Sequence, residues 1–159
     1  MSHKIQIISI FFLATILGMF RFLLLDDPEF TIIKKERIVQ QITSFSVPDD
    51  MTEPMSIDLK FSKYLYDNNG ATFIDARDVE DYEMGHIKNA INIPYDYYEN
   101  YEDTIDELDD MDVYIIYCSG GECSLSLDLA DYLFNEKTFE KVFIFEGGWP
   151  EWRDAGYPY

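Results

Sequence analysis

At 159 residues, with 47% hydrophobic and 16% aromatic content, the chain is sized for one ordinary domain plus a short appendage, and general disorder is excluded. Its formal charge of −19 belongs almost wholly to residues 56–159, which hold 24 Asp and Glu against 7 Lys and Arg. Such a field repels phosphate backbones and anionic lipid, which argues against nucleic acid as a partner; it serves either solubility or the docking of a basic protein.

Residues 5–25 (IQIISIFFLATILGMFRFLLL) are almost wholly apolar, and as a helix rising about 1.5 Å per residue they would cross a bilayer core of about 30 Å. They are expected to form one transmembrane helix, with Arg21 close enough to its end to snorkel. A cleaved signal peptide is the rival, weakened by the length of the run and by the lack of a small-x-small site after Arg21. Lys4 precedes the span, Arg21 lies near its far end, and Lys34, Lys35 and Arg37 follow it. Counting cations puts the domain inside, whereas the short N-terminal tail suits the opposite orientation, so a single-pass membrane location is expected with the side open. Residues 26–55, with Pro48 and Pro54 and no clear period, read as a juxtamembrane linker.

From residue 56 helical and strand patterns alternate. Asp58 can cap a helix whose apolar face is Leu59, Phe61, Tyr64 and Leu65, ended by Asn68, Asn69 and Gly70. Short apolar runs at 71–74, 113–117 and 142–145 suit buried strands, and Leu125, Leu127, Leu129, Ala130 and Leu133 give a helix between the last two. Strands separated by helices imply an α/β domain over 56–159, with a central parallel sheet flanked by helices on both faces. Ligands in such folds bind at the carboxyl ends of the strands.

The chemistry centres on Cys118, which ends the second strand and leads through Ser119, Gly120, Gly121, Glu122, Cys123 and Ser124 into a helix. Free backbone amides and the positive end of the helix dipole stabilise a thiolate or a bound anion at such a place. Gly120 and Gly121 let the loop curl with its amides inward, as a cradle for the terminal sulfur of a persulfide. Taken alone, Cys118 could equally be an inert buried residue at a strand end. Cys118 and Cys123 are the only cysteines, and His3 and His86 the only histidines, so neither a disulfide scaffold nor a metal site is implied, and no cofactor is expected.

Around this loop the sequence resembles the rhodanese family. Ile74-Asp75-Ala76-Arg77 with Glu80, Tyr82 and Gly85-His86-Ile87 matches its D-x-R…E-Y…G-H-I segment, and residues 90–94 (AINIP) match the A-x-N-I-P that follows. Beyond the loop, residues 145–152 (FEGGWPEW) and Gly156-Tyr157-Pro158 match its G-G-W-x-x-W…G-Y-P. The resemblance covers about 56–159 and implies a sulfurtransferase in which Cys118 accepts a sulfane sulfur and passes it to a thiol acceptor, a small molecule or a protein. In that reading the amides from Ser119 to Ser124 hold the sulfur. Asp75 and Arg77 support the loop, His86 bonds locally, and Trp149 and Trp152 pack.

The loop departs from the family's common form, which carries arginine or other basic residues where Ser119, Glu122 and Cys123 stand here. Weak thiosulfate activity is therefore expected, with a neutral or protein-bound persulfide as the better donor. Cys123 either attacks the sulfur on Cys118, pairs with it as a disulfide, or points into the core. A phosphatase is disfavoured, because Ser124 stands where the related phosphatase loops place a phosphate-clasping arginine. A non-catalytic binding module and a Cys118/Cys123 redox switch are the remaining alternatives to a sulfur carrier.

Overall fold

The computed structural model describes Phe12, residues 46–121 and residues 123–159. The chain divides into two units, Met1–Arg37 and Ile38–Tyr159. Apart from Phe12, the expected transmembrane helix over 5–25 and most of the linker lie outside the described residues, and among those described no helix is long and apolar enough to cross a membrane.

Five strands form one parallel sheet: β1 (Met55–Ile57), β2 (Thr72–Asp75), β3 (Ile91–Asn92), β4 (Val113–Tyr117) and β5 (Lys141–Phe145), in the spatial order β1-β5-β4-β2-β3. The connections carry α1 (Leu59–Asp67), α2 (Val79–Met84), a 3₁₀ segment (Tyr95–Tyr101), α3 (Glu102–Asp106) and α4 (Leu125–Asn135), and α5 (Gly148–Asp154) follows β5. The α/β expectation with a flanked parallel sheet therefore holds for the described domain. Strands β1 and β3 were not expected; β1 begins at Met55, within the stretch read as linker, and Val47 and Met51 pack on the same core.

Alternation along β4 divides the interior. Tyr114 and Ile116 face the side covered by α4 through Leu129, Ala130 and Leu133, whereas Ile115 and Tyr117 face Phe61 and Leu65 of α1 and Trp152 of α5. Continuing that parity, Cys118 emerges on the α4 side. The Asp58 side chain caps α1 by accepting from the Phe61 amide at 2.8 Å, as its sequence position suggests. Tyr64 departs from the expected apolar face, since it is exposed, while Ser62 is buried with its hydroxyl donating to the Asp58 carbonyl at 2.9 Å. At the far end of α4, Lys137 pairs with Glu102 and Asp106 of α3, and Tyr132 donates to Glu102. These contacts tie the two helices together beside the sheet.

The second core is organised by Trp152, which is fully buried with its ring 5.1 to 5.4 Å from those of Tyr157, Tyr66 and Phe73. Its indole N–H donates to the Pro158 carbonyl at 2.9 Å, so the last residues are held against α5. Trp152→Ala is expected to destabilise the domain by about 3–5 kcal/mol, read from the urea midpoint at constant slope; a loss below about 1 kcal/mol would contradict this packing role.

Candidate functional site

In the parallel register Asp75 of β2, Tyr117 of β4 and Phe145 of β5 lie side by side at the carboxyl edge of the sheet. The residues that follow these three strands meet there. Tyr117 is wholly buried, and its hydroxyl oxygen accepts the Ile87 amide at 3.0 Å. Burial first, and the Asp75 carboxylate second, push its phenol far above the ordinary range, so it stays neutral at any working pH.

Cys118 comes next and is buried at 2% exposure. Its sulfur is joined to Cys123 in a disulfide across the loop, with the two Cα atoms 6.6 Å apart, inside the range a disulfide spans. The Ser126 hydroxyl, on the first turn of α4, lies 3.3 Å from the Cys118 sulfur. With the sulfur bridged, only the hydroxyl can donate. Gly120 and Gly121 both adopt left-handed backbone, at φ 72° and 64°, which lets the chain fold back so soon after the strand. Ser119 and Gly121 are exposed, and Ser124 stands just before α4. One of the amides expected to face the sulfur does not do so: the Cys123 N–H is turned onto the Gly120 carbonyl at 3.3 Å. Glu122 lies outside the described residues.

The loop is held from the side by the start of α5. The Trp149 amide donates to the Cys118 carbonyl at 2.8 Å. Gly148 sits at φ 60°, and a Cβ there would fall 2.3 Å from the Cys118 carbonyl oxygen and 2.6 Å from the Gly120 nitrogen; a Cβ on Gly120 would fall 2.5 Å from the Gly147 carbonyl oxygen. Two glycine-containing backbones thus touch with no side chain between them.

Asp75 and Arg77 brace this arrangement. Asp75 is fully buried, and the Arg77 guanidinium meets it through Nε at 2.9 Å and Nη2 at 2.6 Å. The same Nη2 donates to the Gly85 carbonyl at 2.8 Å, and the guanidinium lies 5.6 Å from the centre of the Trp149 ring. Burial opposes the charge on Arg77, but the hydrogen bonds and charge of Asp75 outweigh it and hold the guanidinium firmly protonated. Asn92 completes the brace, its amide donating to the Asp75 and Arg77 carbonyls at 3.0 and 2.9 Å. His86 donates from Nδ1 to the Tyr82 carbonyl (2.9 Å) and its ring stacks on that of Tyr82.

Sequence reasoning missed Ser126, Asn92 and Gly148 as parts of the site. Ser126 had a signal: with Leu129, Ala130 and Leu133 it completes the spacing of the buried face of α4, where a hydroxyl needs a partner.

Two substitutions probe the brace. Gly148→Ala forces a Cβ into the Cys118 carbonyl in a left-handed conformation and is expected to destabilise by about 1–3 kcal/mol and to raise the alkylation rate of reduced Cys118; an unchanged rate would mean that the contact does not shape the loop. Arg77→Met leaves the Asp75 carboxylate buried without its cation, an expected loss of about 3–5 kcal/mol, whereas removing both charges in Asp75→Leu/Arg77→Met restores much of it in the same urea assay.

The Rhodanese-like domain family matches residues 60–155. The tRNA uridine(34) hydroxylase of Cronobacter sakazakii is 31% identical over 101 residues, covering 59% of this chain and 28% of its own length. That of Yersinia enterocolitica is 28% identical over 130 residues, covering 77% of this chain and 36% of its own. The chain therefore spans 28–36% of the length of these curated relatives. A crystal structure of a Bacillus halodurans protein superposes with a TM-score of 0.55 at 29% identity, covering 63% of this chain and 72% of its own. The solution structure of a Rhodanese-like domain from Anabaena gives 0.53 at 24% identity, covering 68% and 78%, a likeness of fold. The family match takes in Asp75, Arg77, the whole cysteine loop and Gly148, and the chain belongs to the rhodanese-like domain family.

Proposed function

We propose that this chain is a rhodanese-type sulfurtransferase or sulfur carrier in which Cys118 bears the sulfur. The observation that carries the reading is the placement of Cys118 at the end of β4, beside the start of α4, with the Ser126 hydroxyl 3.3 Å from its sulfur, in a chain of this family. Once the disulfide is reduced, the Cys118 thiolate attacks the outer sulfur of a persulfide donor. The donor leaves as a thiolate, and a persulfide remains on Cys118. An acceptor thiolate then attacks that outer sulfur and returns Cys118 to the thiolate.

The donor class follows from charge. Ser119, Gly120, Gly121, Cys123 and Ser124 supply no cation, Glu122 adds a negative charge, and Arg77 is engaged with Asp75 and Gly85. A dianion such as thiosulfate is therefore a poor donor, and a persulfide on a small thiol or a protein is the better one. The relatives named as tRNA hydroxylases do not bring tRNA to this chain as a partner, because residues 56–159 repel a phosphate backbone. Residues 5–25 would tether the domain to a membrane and raise its effective concentration near a membrane-bound donor or acceptor.

The disulfide favours a second reading, a Cys118/Cys123 redox switch that moves no sulfur. Mass spectrometry of the reduced full-length chain after exposure to cysteine persulfide separates the two. A gain of one sulfur by the Cys123→Ser chain, removed by a reductant and absent when Cys118 is also changed to Ser, is the expected result. A wild type that only loses two hydrogens, with no sulfur ever gained or passed on, supports the switch instead.

A further inference from the structure

The geometry points to a second activity at this site: Cys123 reduces the persulfide on Cys118 and releases it as hydrosulfide, making the domain a persulfide reductase as well as a carrier. The inference rests on the sulfurtransferase reading above and goes beyond it in naming the fate of the sulfur. Its basis is the pairing itself. Within a loop that closes in five residues, the Cys123 sulfur reaches the Cys118 sulfur, the inner atom of any persulfide formed there.

The step balances without an outside oxidant. The Cys123 thiol first gives its proton, through water, to the outer sulfur of the persulfide anion. Its thiolate attacks Cys118 Sγ, forming the Cys118–Cys123 bond, and the bond between Cys118 Sγ and the outer sulfur breaks with both electrons leaving on hydrosulfide. The sulfane sulfur is reduced to sulfide and the two cysteines are oxidised together to the disulfide seen in the structure. Attack at the inner sulfur is favoured by the leaving group, since hydrosulfide is the conjugate base of a stronger acid than an alkyl thiol. A dithiol reductant then exchanges with the disulfide, takes up its oxidation, and returns Cys118 and Cys123 to thiols for the next turn.

Two features of the site assist. The Ser126 hydroxyl, 3.3 Å from Cys118 Sγ, can donate to negative charge on the sulfurs during the exchange. Ser119 and Gly121, on the turn between the cysteines, are exposed, so the loop borders water into which hydrosulfide can depart. The field of residues 56–159 drives the anion outward.

The test is a single turnover of the reduced full-length chain in detergent, mixed with cysteine persulfide in the absence of free reductant, with sulfide measured by a selective electrode and the protein by mass spectrometry. Wild type is expected to release about one sulfide per chain as the disulfide appears. Cys123→Ser is expected to hold one extra sulfur and release none in the same interval, and Cys123→Ala to do the same, which guards against an effect of the serine hydroxyl. Sulfide release from either variant at the wild-type rate overturns the proposal. So does a wild type that keeps its extra sulfur on Cys118 or moves it to Cys123 without sulfide. If no chain, Cys123 variants included, ever gains sulfur, the sulfurtransferase reading falls and the reductase with it; if only the variants gain and keep sulfur while wild type yields sulfide and disulfide, both stand.

Discussion

The site depends on one backbone contact: the Trp149 amide bonded to the Cys118 carbonyl, with Gly148 pressed against the same carbonyl and the Gly120 nitrogen. Strands β4 and β5 are neighbours in register, so the chain leaving each must pass the other at its end. Any side chain at Gly148 or Gly120 would part them. The remaining support converges on this contact, because Arg77 faces the Trp149 ring while bonded to Asp75 and Gly85, and Asn92 fastens the carbonyls of Asp75 and Arg77. The motifs spread along the sequence are therefore parts of one brace around a cysteine loop. The side-chain bonds of Asp75 and Arg77 are made to each other, to backbone and to Tyr117, which makes the pair a brace for the loop.

The sheet carried clear signals in the sequence because its central strands are buried on both faces. The runs at 113–117 and 142–145 are continuous in apolar residues, as strands covered by helices on each side must be, and they correspond to β4 and to nearly all of β5. The edge strands β1 and β3 left no such mark. With three and two residues, they are too short for a period and are defined by pairing with β5 and β2, which local sequence does not encode. Tyr64 was misplaced for a related reason: helical spacing allowed it on the apolar face of α1, but the buried turn is closed by Ser62, whose hydroxyl satisfies itself on the Asp58 carbonyl.

Of the site, Cys118 and its loop were legible from the strand, the glycines and the helix that follow one another there, and Asp75 and Arg77 from their motif. The partnership of Cys118 with Ser126 was hidden in an apolar stripe, and that of Gly148 with Cys118 required the parallel register of β4 and β5. The state of Cys123 was the least readable. A thiol at the start of a helix can face core, solvent or a neighbouring sulfur, and only the left-handed turn at Gly120 and Gly121, which brings the chain back on itself, turns it toward Cys118.

These pieces bear on one another through charge. A persulfide is an anion near neutral pH, and the common form of the family meets it with basic side chains. Here the loop offers backbone amides, one of which is already bonded to Gly120, and a single hydroxyl, inside a domain with 24 acidic residues against 7 basic ones. In the proposed reaction, holding an anionic sulfur is therefore less favourable than in a cationic loop, whereas the disulfide that would replace it is neutral and the hydrosulfide would leave the negative field. Loss of the cations and gain of the second thiol thus act in the same direction. On the proposed reading both shift the balance from retaining sulfur toward passing it on, which is the property that separates a relay from a store.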